Sequence, residues 1–206
     1  MITLALSKGR ILKEELTLLR KAGYDLSDIL RDERKLFFEF PTFNINIILL
    51  KPFDVPIYVE KGAADLGMVG LDVIYEEDRD VLRLLDLRMG SCRIVVAQPR
   101  KKTAFTSEKI RIGTKFPKIS KDFYDKKGIN VEIIKLYGSI ELAPLKGLSD
   151  YIVDIVSSGE TLRKNGLCEV EDVLEVSSYL IGNRISFKTK FKEMREFIEK
   201  LKESVR

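Results

Sequence analysis

The chain has 206 residues, 45% of them hydrophobic and 33% charged, and its 36 lysines and arginines against 32 aspartates and glutamates give a net charge of +4. That balance suits a soluble globular protein of one domain or two small ones, and it argues against a disordered chain or a strongly basic nucleic-acid binder. The sequence contains no histidine, which excludes a Ser-His-Asp or Cys-His hydrolase within one chain and leaves Asp, Glu, Lys, Tyr, Cys or a substrate group as any general base.

The two cysteines, Cys92 and Cys168, form no CxxC pair and no zinc-site spacing, which fits a reducing, cytoplasmic compartment. The first eight residues have no basic segment ahead of a long apolar stretch, and no apolar run is long enough to span a bilayer. The basic clusters Arg100-Lys101-Lys102 and Lys126-Lys127 have acidic residues mixed among most of them and read as solvated faces. The expectation is therefore no membrane and no nucleic acid.

In chain order, residues 2–6 form a short buried strand. Ser7-Lys8-Gly9-Arg10 follows, then a helix whose stripe is Ile11, Leu12, Leu16 and Leu19, closed by Gly23. A glycine flanked by cations at a strand-to-helix turn suits a phosphate or carboxylate ligand, and equally a basic surface turn. Residues 35–40 and 44–50 read as strands joined by Pro41, Thr42 and Phe43. Lys51-Pro52-Phe53-Asp54 leads into a helix over 55–61, with Asp54 as its N-cap and Pro56 in its first turn. Residues 64–70 are a buried strand whose Gly67 and Gly70 leave space above the backbone. Asp72 then serves as an N-cap, an acceptor for ribose hydroxyls, or both.

Residues 81–87 and 91–97 are strands, with a hinge at Arg88, Met89 and Gly90. A polar loop covers 99–108, a strand 109–114, and a helix opened by Lys115-Phe116-Pro117 ends at Gly128. Residues 130–136 are a strand, and 140–146 a helix. The apolar run 151–156, interrupted by Asp154, is a buried strand that breaks into Ser157-Ser158-Gly159-Glu160-Thr161 before helix formers resume. Glycine lets a ligand approach the backbone, and the N–H groups of a first helical turn point the same way, making an anion cradle. A plain cap at Ser158 with a turn at Gly159 fits those residues as well. Residues 170–176 and 178–186 return as strands. The last helix, 188–204, carries Phe191, Met194, Ile198, Leu201 and Val205 on one stripe, to be packed on a core or a partner.

Alternating strands and helices predict an α/β fold with mainly parallel sheets. The hinges predict two lobes: lobe I from 1–88 and 178–206, and lobe II from 89–177. Every polar turn named above follows a strand, and ligands of such folds bind at strand carboxyl ends, in an expected active-site cleft.

Residues 141–162, ELAPLKGLSDYIVDIVSSGETL, closely resemble the signature of the ATP phosphoribosyltransferases, and Ser7 to Arg10, Lys51 to Asp54, Gly67 to Val73 and Thr114 to Pro117 resemble that family's other blocks in order. Lys51 stands where the family pattern has arginine, keeping charge without the bidentate fork, and Lys118 where it has asparagine. The resemblance implies a two-lobed, periplasmic-binding-protein-like (type II) fold. It implies that N1 of ATP displaces pyrophosphate from phosphoribosyl pyrophosphate (PRPP) with inversion, with Mg2+ on the pyrophosphate and no metal assigned to protein side chains. Carried onto this sequence, Ser157, Ser158, Gly159, Glu160 and Thr161 bind the 5-phosphate of PRPP. Asp154, with Glu141, holds its ribose hydroxyls. Lys8, Arg10 and Lys51 meet pyrophosphate or ATP phosphates, and Gly70, Asp72, Thr114 and Lys115 complete the ATP contacts. Asp154, Glu141, Lys8 and Arg10 are the candidate catalytic residues. The implied partners are a second copy in a homodimer and a regulatory subunit resembling histidyl-tRNA synthetase, since the family's longer members carry a histidine-binding C-terminal domain. A cytoplasmic two-lobed anion or nucleotide sensor without catalysis is the alternative.

Overall fold

A computed structural model describes residues 1–32, 34–100 and 109–205. From residue 101, the loop expected at 99–108, with Lys101 and Lys102, lies outside the described residues. The chain divides into two compact units: Met1–Gly90 with Ser177–Arg206, and Ser91–Val176.

Unit 1 begins with β1 (Ile2–Ser7), α1 (Leu12–Lys21) and a 3-10 turn at Ser27–Arg31. β2 (Phe37–Phe40) and β3 (Ile45–Leu50) form a hairpin through a 3-10 turn at Pro41–Phe43, with Asn44 left-handed at φ 56°. α2 (Val55–Glu60), β4 (Leu66–Gly70), α3 (Leu71–Glu77) and β5 (Leu82–Asp86) follow. Unit 2 holds β6 (Cys92–Pro99), β7 (Ile110–Thr114), α4 (Pro117–Lys126), β8 (Val131–Lys135), α5 (Leu142–Leu145), β9 (Tyr151–Val156), α6 (Glu160–Lys164) and β10 (Leu167–Val176). The chain then returns to unit 1 with β11 (Ser178–Gly182), α7 (Arg184–Thr189) and α8 (Phe191–Val205).

Both sheets are mixed. The first runs β2-β3-β1-β4-β11-β5 and the second β10-β6-β9-β7-β8. In the first, β3, β1 and β4 are parallel; in the second, β9, β7 and β8 are parallel. The remaining pairings are antiparallel, so the first sheet has a parallel centre with antiparallel flanks, and the second is parallel at one end and antiparallel at the other. The flanks arise where the chain uses a hairpin or passes from one unit to the other, connections that need no crossover helix.

Of the parallel strands, β1 and β4 in the first sheet and β7 and β9 in the second are largely buried, as their apolar runs require, whereas β8 at the edge of its sheet is not. Leu4 and Leu6 of β1 face a core with Leu16, Leu19, Met68, Met194, Phe197 and Leu201, while Ala5 between them faces Val55, Val59, Val69 and Ile181. The apolar stripe of α8 is therefore spent inside unit 1: Met194, Phe197 and Leu201 are at most 1% exposed. Gly67 also differs from expectation. A Cβ there would come within 2.7 Å of Val55 and 2.9 Å of Val59, so the space above it is filled by α2 and takes no ligand.

Two local features depart from the sequence expectation. The strand placed at 178–186 ends at Gly182, because the Asn183 side chain accepts from the N–H groups of Ile185 (2.9 Å) and Ser186 (2.8 Å) and so starts α7. Its amide also donates to Val59 O at 2.8 Å and Glu60 O at 3.1 Å, which closes the end of α2. Asp54 occupies the N-cap position of α2 without a capping hydrogen bond from its side chain.

Asp65 ties the strands of unit 1 to its C-terminal helices. Its carboxylate accepts from Thr3 N (2.8 Å) and from Lys190 Nζ (2.8 and 2.9 Å), while its backbone bonds Thr3 and Asn183. Burial pushes this carboxyl up, but hydrogen bonds from Lys190, Ser186 and Thr3 outweigh it and leave its pKa lowered. A lowered carboxylate contributes stability above its unfolded pKa and loses it as pH falls through the folded one. Asp65→Asn should therefore cost about 2 kcal/mol at pH 7, and the cost should shrink as pH drops below the ordinary aspartate range. Urea midpoints of the two proteins at pH 7 and pH 3 measure this; an equal gap at both would contradict it.

Candidate functional site

Parallel pairing places the carboxyl ends of neighbouring strands on one edge. In unit 1, Ser7 pairs with Leu50, Ser7 Oγ donates to Met68 O at 3.1 Å, and Lys8 N donates to Leu50 O at 2.7 Å. The turns 7–10, 51–54 and 70–72 therefore stand side by side. Gly9 has φ 111°, a conformation glycine adopts freely. Arg10 and Lys51 are exposed and Lys8 half-buried. Among the described residues, no carboxylate lies within ion-pair distance of Lys8, Arg10 or Lys51. Gly70 occupies the N-cap position of α3, and Asp72 sits in the first helical turn, 8% exposed, rather than at the cap. A carboxylate there is favoured by the partial positive charge of the helix start.

In unit 2, Thr114 pairs with Lys135 on β8 and with Val153 on β9. The turns after β7, β8 and β9 therefore share one edge: 114–117, 137–141 and 157–161. Asp154 is the last charged residue before the 157–161 turn, with its side chain 15% exposed. Its Oδ1 accepts from Ile155 N at 2.8 Å and lies 3.9 Å from Lys115 Nζ. Burial pushes the Asp154 carboxyl up, Lys115 and the Ile155 N–H pull it down by less, and the charge of Glu141 adds to the rise. The structure thus brings Asp154, Lys115 and Glu141 into one electrostatic group, a concentrated and incompletely neutralised negative charge.

The 157–161 turn has Gly159 at φ 70° and ψ 5°, left-handed. A Cβ there would come within 2.6 Å of Glu169 Oε1 and 3.0 Å of Arg163 Nη1, so both geometry and crowding demand glycine. Ser157, Ser158, Glu160 and Thr161 are exposed. Ser158 Oγ accepts from Glu160 N at a long 3.4 Å, and the cap position is Gly159 rather than Ser158. Among the described residues, the backbone N–H groups of Ser158, Gly159 and Thr161 donate to no protein acceptor, which is what an anion-binding turn offers.

Thr114 plays a different part from the one expected. It is 0% exposed, its hydroxyl donates to Val153 O at 2.6 Å, and it accepts from Phe116 N at 2.9 Å and from Ser120 Oγ at 3.3 Å. The side chain fixes β7, β9 and the start of α4, and it has no surface to present to a nucleotide. Three further positions were invisible as site residues in the sequence. Arg163 lies against the Gly159 turn, and Glu169 beside it is held by Arg93 at 2.9 Å. Arg111 grips Asp150 through its backbone N–H (2.8 Å), Nε (3.3 Å) and Nη2 (2.9 Å), and donates to Gly147 O at 2.9 Å. That clamp fixes the entry to β9, so the charge at Asp150 is structural. Among the described residues, no group of three or more Cys, Asp or Glu side chains could hold a metal ion, and no helix is long and apolar enough to cross a membrane.

The family model described as ATP phosphoribosyltransferase matches residues 51–203. An ATP phosphoribosyltransferase 2 of Geobacter sulfurreducens is 48% identical, the match covering 99% of this chain and 98% of that protein. An ATP phosphoribosyltransferase of Geobacillus sp. (strain WCH70) is also 48% identical, over 100% of this chain and 99% of the relative. Among solved structures, the ATP phosphoribosyl transferase (HisG:HisZ) complex from Thermotoga maritima contains a chain that superposes with a TM-score of 0.85 at 36% identity, covering 100% of this chain and 98% of that one. On these matches, over a fold whose strand-end turns carry the family's blocks, this chain belongs to the ATP phosphoribosyltransferase family.

Proposed function

We propose that this chain transfers the phosphoribosyl group of PRPP to N1 of ATP, giving N1-(5-phosphoribosyl)-ATP and pyrophosphate, with the 157–161 turn and the Asp154 group at its centre. The observation that carries this assignment is the coincidence, on one strand edge of unit 2, of an anion-ready turn and a partly buried carboxylate. The unbonded N–H groups of 158, 159 and 161 take the 5-phosphate, with the Ser157, Ser158 and Thr161 hydroxyls around it. Asp154, two residues before β9 ends, accepts from the ribose hydroxyls, with Glu141 beside it. In unit 1, Lys8, Arg10 and Lys51 supply cations to pyrophosphate or to the ATP phosphates, and Gly70 and Asp72 border the nucleotide. In unit 2, Lys115 is assigned to the ATP contacts, whereas Thr114 is assigned to the scaffold.

The ring nitrogen is itself the nucleophile, and the bond from C1 to pyrophosphate breaks as the sugar gains positive charge. The residues act by orientation and by placing charge where it develops, carboxylate toward the sugar and cations toward the leaving group. A histidine-free chain suffices for that. Magnesium, when bound, neutralises pyrophosphate; such ions keep substrate oxygens and one or two carboxylates as ligands. Asp154 and Glu141, mutually repelling at this edge of unit 2, fit that need. A non-catalytic anion sensor finds no support among the relatives.

We also propose that the protein works in the cytoplasm as a homodimer that joins a separate regulatory subunit resembling histidyl-tRNA synthetase. The support for the regulatory partner is the solved relative from Thermotoga maritima, a HisG:HisZ complex.

Asp154→Asn should lower kcat/KM for PRPP on the order of a hundredfold. The same change should raise stability at pH 7 to 8. A carboxyl with a raised folded pKa contributes fully below its unfolded pKa and loses that contribution as pH rises through the folded one, and asparagine escapes the loss. Steady-state kinetics with thermal unfolding at pH 4 and pH 8 check both halves; full activity with unchanged stability would remove Asp154 from the site. Thr161→Val should keep the fold, because Thr161 is exposed, and lose about tenfold or more in PRPP use. For the assembly, light scattering should give a dimer for this chain alone, and histidine should inhibit only after the regulatory subunit is added. Strong histidine inhibition of the isolated chain would contradict the proposed division of labour.

A further inference from the structure

The one fully buried carboxyl of unit 1 that the function above leaves unused is Glu15, on the first turns of α1. It is 0% exposed. Its Oε2 accepts from the backbone N–H of Ser7 at 3.2 Å, and its Oε1 has no partner among the described residues. Ser7, itself 1% exposed, is the last residue of β1 and the first of the Ser7-Lys8-Gly9-Arg10 turn. Its other groups are also committed, Oγ to β4 and its strand register to Leu50, and the next N–H, of Lys8, bonds Leu50 O. After that the chain is free to turn: Gly9 has φ 111°, and only Gly9 O is caught again, by Leu12 N at 3.2 Å.

A charged residue is a poor choice for simple core filling. Its helix neighbours Leu16, Leu18 and Leu19 are buried in the unit 1 core, and a leucine at position 15 would bury without an orphaned oxygen. What a carboxyl adds is an acceptor for the Ser7 N–H. We propose that Glu15 is a positioning residue: its buried carboxyl anchors the Ser7 backbone, and so fixes the place from which Lys8 and Arg10 meet the phosphates of the substrates. This rests on the reading of Lys8 and Arg10 as phosphate-meeting residues. Burial holds the Glu15 carboxyl well above the usual carboxylate range, the Ser7 N–H opposing this and the neighbouring Glu14 adding to it. Among the described residues, no lysine or arginine forms an ion pair with it. The site disfavours the charged form, and glutamine keeps the same acceptor at the same reach without a charge.

The test compares the wild-type chain with Glu15→Gln and Glu15→Leu. Glu15→Gln should keep amide exchange at residues 7–10 and both Michaelis constants within about twofold of wild type. Glu15→Leu should speed exchange of the Ser7 amide and raise the KM for ATP or PRPP about tenfold, with a smaller change in kcat. If the leucine variant fails to fold, Glu15→Asp, which withdraws the carboxyl by one methylene, takes its place with the same expectation. A folded Glu15→Leu or Glu15→Asp protein with wild-type KM values overturns the proposal, as does loss of function in Glu15→Gln equal to that in Glu15→Leu. Exchange at Ser7 is read without substrate, so a chain that makes no product would refute the functional reading while still reporting whether Glu15 anchors the turn.

Discussion

Parallel strand pairing is the constraint on which the rest of the structure depends. Two parallel neighbours in register must end on the same edge, and their following turns must then lie side by side. Ser7 beside Leu50 in unit 1 and Thr114 beside Val153 in unit 2 set that edge in each unit. Residues far apart in sequence, such as Lys8 and Lys51, or Lys115 and Asp154, become neighbours for this reason alone. The buried side chains of both faces secure the pairing, because a slip of one residue would exchange the leucines of β1 with the alanine that α2 packs against.

Chemistry at these edges needs few special groups. In the proposed site a phosphate is met by backbone N–H groups that the fold leaves without acceptors, and a sugar by one carboxylate whose surroundings disfavour its charge. Asp154 illustrates the conflict between stability and function: its surroundings disfavour its charge, yet its place at the end of β9 is where a ribose acceptor is wanted. Other buried carboxylates, in each unit, resolve the same conflict differently. Asp150 is held by the Arg111 fork and Asp65 by Lys190, and both have lowered pKa values.

Much of this was legible in the sequence. Buried parallel strands read as unbroken apolar runs, and the turns after them read as glycine with hydroxyls or cations, so the α/β class and the 157–161 turn could be found from residues alone. The antiparallel flanks could not, because strand order is not written in the local pattern. Gly67 looked like ligand space and is packing space, since nothing local says that Val55 and Val59 will fill it. Thr114 looked like a contact residue and is an internal brace, because its three partners come from three segments. Asn183 ended a strand too early for a pattern reader: the apolar residues continue past it, while one side-chain amide caps α7 and closes α2. Glu15 was hidden for the opposite reason, since a glutamate in a helix reads as solvent-facing until its burial is seen.

The most direct test of the account is to mix the purified chain with ATP, PRPP and magnesium, follow the absorbance change of the modified adenine, and quantify pyrophosphate. The account predicts PRPP-dependent formation of N1-(5-phosphoribosyl)-ATP with one pyrophosphate released per product. Saturable binding of ATP and PRPP, with neither product nor pyrophosphate appearing with or without the regulatory subunit, would contradict it.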